Sequence, residues 1–155
     1  EEQLIPINKD LAQFIAQSMH NLIKKTYNND VILEINNNIT SYLIKELSEL
    51  DVQLPNKDDA FLYLSKKFEV ITAVLEIIKD ARYNFPNSIL TLYYDNGKDE
   101  ESEEDTLPSL ILYVKNDSMT KEARQQIRAL GDSYEEVFAR YNAFFHTEPY
   151  LVNYV

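Results

Sequence analysis

Two runs of β-prone residues, 88–94 (Ser-Ile-Leu-Thr-Leu-Tyr-Tyr) and 109–115 (Ser-Leu-Ile-Leu-Tyr-Val-Lys), flank a stretch that no apolar core can hold. Between Asp95 and Thr106 stand seven acids, Asp95, Asp99, Glu100, Glu101, Glu103, Glu104 and Asp105, against one base, Lys98. The local charge is −6, more than half of the −11 carried by the whole chain. Strand, solvated connection and strand in that order predict a β-hairpin with a long charged loop.

The rest of the chain is largely helical in pattern. After an irregular lead-in through Pro6, Leu11, Phe14, Ile15, Ser18, Met19, Leu22 and Ile23 recur at helical spacing, with Asn8 as the expected N-cap. Asn28-Asn29-Asp30 marks a turn, with Asp30 as the next cap. A second helix is expected over residues 31–50, although Val31, Leu33 and Ile35 also alternate as a short strand would. Phe61, Leu64, Phe68, Ile71, Leu75 and Ile78 form the stripe of a third helix. Leu62, Val70, Val74 and Ile77 widen it into the surface of a central helix covered on more than one side. Following the hairpin, Ala123, Ile127, Leu130, Tyr134, Val137, Tyr141 and Phe144 keep one phase across Gly131, which predicts a single long helix ended by Glu148-Pro149. The competing pattern stops one helix at Gly131 and caps the next with Ser133 and Glu136. Residues 150–155 read as a third strand.

With 155 residues, 45% of them hydrophobic, the chain suffices for one α+β domain spanning 1–155. The expected sheet has three strands and is mostly antiparallel. Run 88–94 lies between 109–115 and 150–155, with helices covering both apolar faces.

Composition removes several function classes. A net charge of −11 argues against nucleic acid and against an anionic membrane surface, because both are bound by cationic patches. No apolar run is long enough for a membrane span. Two glycines cannot build a Gly-rich phosphate cradle. The absence of Cys removes disulfides, thiol catalysis and Cys-ligated zinc. The acidic run lacks the spacing of a calcium loop, since Gly97 comes third after Asp95. No metal or cofactor is therefore expected. The expected location is the cytoplasm, although the chain starts at Glu1 without an initiator Met and a removed signal stays open.

What remains points to surfaces. The acidic run reads first as a solvated hairpin tip and second as a docking site for a basic partner, carried by Asp99, Glu100, Glu101, Glu103, Glu104 and Asp105. Tyr93, Tyr94, Tyr113, Tyr150 and Tyr154 all fall on expected strands, where their rings suit rim packing or an aromatic face for a partner. An uncharged terminal strand at a sheet edge invites pairing with a second copy through Tyr150, Val152 and Tyr154. The expectation is a non-enzymatic protein–protein interaction or regulatory domain, self-associating or bound to a protein partner. The alternative is a small hydrolase-like enzyme using His20 or His146 with carboxylates.

The run Leu110-Ile111-Leu112-Tyr113-Val114-Lys115, preceded by Ile89-Leu90-Thr91-Leu92 and the acidic connection, resembles segments of uncharacterised bacterial α+β proteins. The resemblance covers residues 86–155 and implies a fold, with no catalytic residues to transfer. The Asn-rich, Lys-rich, Gly-poor usage is similar to that of AT-rich bacteria.

Overall fold

The computed structural model describes residues 9–24, 29–98 and 106–151, with side chains for 10–17, 37–98 and 106–150. Helices α1 (Lys9–Lys24) and α2 (Asn29–Glu49) open the described chain. Residues 31–35 are helical, and Asp30 lies inside α2 instead of capping it. Leu11 of α1 is buried with Ile39, Leu43 and Leu47 of α2, and the Phe14 and Tyr42 rings meet at 5.8 Å.

Two residues beyond the end of α2, Asp51 adopts a left-handed conformation with φ 55°. That geometry stops the helix and frees its last carbonyls. Arg82 takes them up. Its Nε donates to the Leu50 carbonyl at 3.0 Å and its other nitrogens to Asp51 at 3.1 Å, Ser88 at 2.7 Å and Pro86 at 3.2 Å. One guanidinium thus binds the end of α2 to the chain entering the hairpin. Directly beyond Asp51 lies a two-residue strand, β1 (Val52–Gln53), which the sequence pattern did not reveal.

The broad apolar stripe at 61–78 is not one helix. It divides into α3 (Lys57–Ser65), a 3₁₀ turn at Phe68–Val70 and α4 (Ile71–Asn84). Eight of the fourteen α4 residues are buried, as expected for a central helix. Asn56 precedes α3 but does not cap it. Its amide instead pairs with the Tyr94 backbone, donating to the carbonyl at 2.6 Å and accepting the N–H at 3.0 Å.

The hairpin forms as expected, from β2 (Ile89–Asp95) and β3 (Ser109–Asn116) in antiparallel register. Its neck is closed by Gly97. The Thr106 N–H donates to the Gly97 carbonyl at 2.7 Å, and Gly97 has φ 78°. A β-carbon there would collide with the Thr106 backbone.

The expected helix across Gly131 is also divided, into α5 (Lys121–Ala129), a 3₁₀ turn at Asp132–Tyr134 and α6 (Glu135–Arg140). Neither Gly131 nor Ser133 supplies a side-chain cap, so the break follows neither a continuous helix nor a capping box. Asn142, at φ 52°, closes α6, and the Ala143 N–H reaches back to the Phe138 carbonyl at 2.8 Å. The last strand, β4 (Phe145–Leu151), therefore begins five residues before the expected start at 150 and contains Pro149 within it.

The expected three-stranded, mostly antiparallel sheet is overturned by these strands. The sheet is four-stranded and mixed, in the order β1-β2-β3-β4. Strand β1 is parallel to β2, and β4 is parallel to β3, so β4 lies beside β3 and not beside run 88–94 as expected. The helix-containing segment between β3 and β4 makes this a parallel return between neighbours.

The Tyr42 hydroxyl is buried without a hydrogen-bond partner among the described residues. Burial first, then the Glu46 and Asp10 charges, pushes it from 10.0 up to about 12. The fold thus favours the neutral phenol. Ionisation therefore leaves stability unchanged below pH 10.0 and lowers it as pH rises towards 12, because the unfolded chain gives up this proton more readily than the folded one. Tyr42→Phe should flatten this alkaline loss and raise stability by about 1 kcal/mol at neutral pH, read by urea unfolding across pH. Arg82→Ala should cost about 3 kcal/mol, with Arg82→Lys recovering only part, because a single ammonium cannot reach four carbonyls at once.

Candidate functional site

Strand residues alternate between two faces, and the helical layer uses only one of them. Leu90, Leu92, Leu110, Leu112 and Val114 belong to the same buried cluster as α4. Thr147 is buried on this side, its hydroxyl donating to the Ile127 carbonyl of α5. Among the described residues the opposite face contributes nothing to that cluster, so the described helices do not cover both apolar faces as the sequence suggested. Ile111 is only 7% exposed yet stands outside the cluster.

That second face carries a band of tyrosines. Tyr93 and Tyr113 lie 6.4 Å apart between ring centroids, and Tyr113 meets Tyr150 edge-on at 6.0 Å. The band crosses β2, β3 and β4. Strand register sets Tyr113 opposite Thr91 and Tyr93 opposite Ile111, so large rings flank both buried side chains. Lys115 places its ammonium 5.4 Å from the Tyr150 ring centre, a cation–π contact. Ile89, Tyr93 and Tyr150 remain 43%, 40% and 51% exposed.

The electrostatics are mild. Burial pushes the Tyr113 phenol up, with Tyr93 and Glu148 adding to the effect, so it stays a neutral donor at physiological pH. Glu148 faces Arg128 of α5 at 3.7 Å, both side chains well exposed. Asp95, at the far end of β2, accepts the Gly97 N–H at 2.9 Å. The surface is thus a largely apolar, hydroxyl-studded plane with Lys115 at one end, Asp95 at the other, and Glu148 and His146 of β4 beside Tyr113 and Ile111.

Of the residues singled out in the sequence, Tyr150 joins this face. Asp99, Glu100, Glu101, Glu103, Glu104, Asp105, Val152 and Tyr154 lie outside the described residues. His20 is on α1, and its side chain is likewise not described. His146 is exposed on β4 and borders a cleft of about 440 Å³ with Asp132 and Glu135, but it forms no ion pair among the described residues. No group of three potential metal ligands occurs among them either, and no described helix is long and apolar enough to cross a membrane. Sequence reasoning placed Ile89 on one face with Tyr93 but missed Ile111 and Lys115 as their companions. The two-residue alternation carried that signal.

Because the tyrosines at the rim of the band are exposed, Tyr93→Thr and Tyr150→Thr should each change stability by under about 1 kcal/mol. Ile111→Ala should cost about 2–4 kcal/mol although it lies outside the main core. Urea unfolding of the three variants checks both expectations. Comparisons with protein-family models, curated proteins and solved structures find no match to this chain.

Proposed function

We propose that this chain is a non-enzymatic interaction module that self-associates through the tyrosine face of its sheet. The observation that supports this reading is the contiguous band Tyr93–Tyr113–Tyr150, left exposed beside Ile89 with no share in the helical core. Contiguous exposed apolar patches in water mark interaction surfaces more often than scattered apolar residues do. Tyrosine suits such a surface because its ring buries area while its hydroxyl stays hydrated.

A second copy is the occupant that fits best. A two-fold axis running across the strands reverses one sheet over the other, bringing the Lys115 end of one copy over the Asp95 end of its partner. The two ends of the face are thus complementary in charge, and the rings between them are apolar. Pairing through the free edge of β4 fits less well. Pro149 lies within that strand and has no N–H to donate, and in a sheet it is tolerated only with its nitrogen facing outward. The hydrolase-like alternative needs a carboxylate paired with a histidine; Asp132 and Glu135 border the same cleft as His146, but His146 forms no ion pair among the described residues.

Salt separates this reading from docking of a basic partner on the acidic segment. Two copies, each at −11, repel at long range, so screening should strengthen an apolar dimer. Contact between an acidic segment and a basic partner should weaken under the same change. We expect light scattering to show a dimer that tightens as salt rises, and a Tyr93→Lys/Tyr150→Lys variant that is monomeric with an unchanged circular dichroism spectrum. A wild-type chain that stays monomeric at high micromolar concentration and high salt would remove the proposal.

A further inference from the structure

A second concave surface lies away from the tyrosine face, at the end of the sheet where β2 finishes and β3 and β4 begin. It is a cleft of about 480 Å³, within the range of about 300–1,000 Å³ common for small-molecule sites. Three exposed apolar side chains from separate parts of the chain border it: Leu62 of α3 at 53%, Leu107 before β3 at 66% and Phe144 before β4 at 43%. Singly each is unremarkable, but they border one cavity. The Tyr63 and Tyr94 rings, 5.7 Å apart, line it as well.

The polar groups at the cleft are mostly donors. The Tyr63 hydroxyl accepts the Phe144 N–H at 3.0 Å, which occupies a lone pair and leaves its own proton without an acceptor among the described residues. Burial raises the Tyr63 pKa, so that proton stays in place at neutral pH. Lys67 is held in position, its ammonium donating to the Tyr141 carbonyl at 3.2 Å. Lys66 is exposed and has no partner among the described residues. Asp59 is the single carboxylate on the lining and forms no ion pair with either lysine. Two lysines against one aspartate leave the lining positive in a chain of −11.

We propose that this cleft binds a small amphipathic carboxylate. Its hydrocarbon body would lie along Leu62, Leu107 and Phe144, and its head would meet the Tyr63 hydroxyl and the Lys66 ammonium. The donor set favours a carboxylate over a phosphate. The lining has no arginine, and its mostly apolar surface matches a single anionic head on a hydrocarbon tail.

The test uses decanoate as probe on the full chain, with decan-1-ol and decylammonium as controls, followed by amide chemical shifts and calorimetry. Decanoate should bind with a Kd below about 1 mM, shift amides around Tyr63, Leu107 and Phe144, and exceed both controls by about tenfold. Lys66→Gln should weaken decanoate by about tenfold and leave decan-1-ol unaffected. Tyr63→Phe should do the same. If loss of its bond to Phe144 disturbs the fold, the exposed Lys66 variant still decides the matter. Equal binding of decanoate and decan-1-ol, indifference to Lys66→Gln, or shifts centred on Tyr93, Tyr113 and Tyr150 would each overturn the proposal. None of these results depends on whether the chain self-associates.

Discussion

The guanidinium of Arg82 is the contact on which the sheet's geometry depends. Near the end of α4 it gathers the carbonyls of Leu50 and Asp51, where α2 stops, and those of Pro86 and Ser88, where β2 is about to start. Planar, fixed in charge and bearing five donors, it can satisfy several orphan carbonyls that would otherwise need water. The result is that Val52 arrives beside Leu90 in parallel register. Without that convergence a strand of two residues has too few ladder bonds to hold its place. Asn56 completes the arrangement a few residues on. Its side chain takes both backbone bonds of Tyr94 and so extends the β1–β2 seam with an amide in place of a peptide. Short strands of this kind also blunt an exposed edge.

One-sided covering follows from how the elements are connected. Strands β2 and β3 are joined by the charged hairpin segment, which cannot pack as core. Strands β3 and β4 run parallel, so the α5–α6 segment must cross a face, and it crosses the face that already holds α4, where Thr147 meets Ile127. The other face is left to side chains that tolerate water on one side. Tyrosine, threonine and lysine supply that tolerance, and Ile111 is sheltered among them.

Much of this was legible in the residues, for specific reasons. The hairpin runs combine β-branched and aromatic residues with a core-excluding connection, and both strands formed where they did. The break at 65–67 was invisible, and the one at Gly131 was offered only as the competing pattern, because the residues on either side keep one helical phase. Around 65–67 the flanking residues are held by tertiary bonds: Tyr63 is tied to Phe144, and Lys67 to Tyr141. The start of β4 was hidden in the same way, since Tyr141 and Phe144 continue the helical spacing while Asn142 has already left it through a left-handed turn. Pro149 looked like a boundary because proline rarely sits within strands, yet an outer strand admits it. Tyr93, Tyr94, Tyr113 and Tyr150 stand on strands as their pattern implied, while Tyr154 lies outside the described residues. Which face would remain open depended on the strand order, and strand order rests on contacts that alternation does not encode.

The Gly97–Thr106 neck has a consequence for how the chain can change over evolutionary time. Its backbone bond and the left-handed glycine fasten together the two ends of the acidic stretch before that stretch begins. Closure entropy grows slowly with the length of what such a neck encloses. Residues 99–105 can gain or lose length, charge or sequence while β2 and β3 keep their register. The glycine itself has no such freedom, because any side chain there strikes the Thr106 backbone. Neutral drift should thus accumulate inside the neck and stop at it, leaving an interchangeable cassette mounted on an invariant clasp.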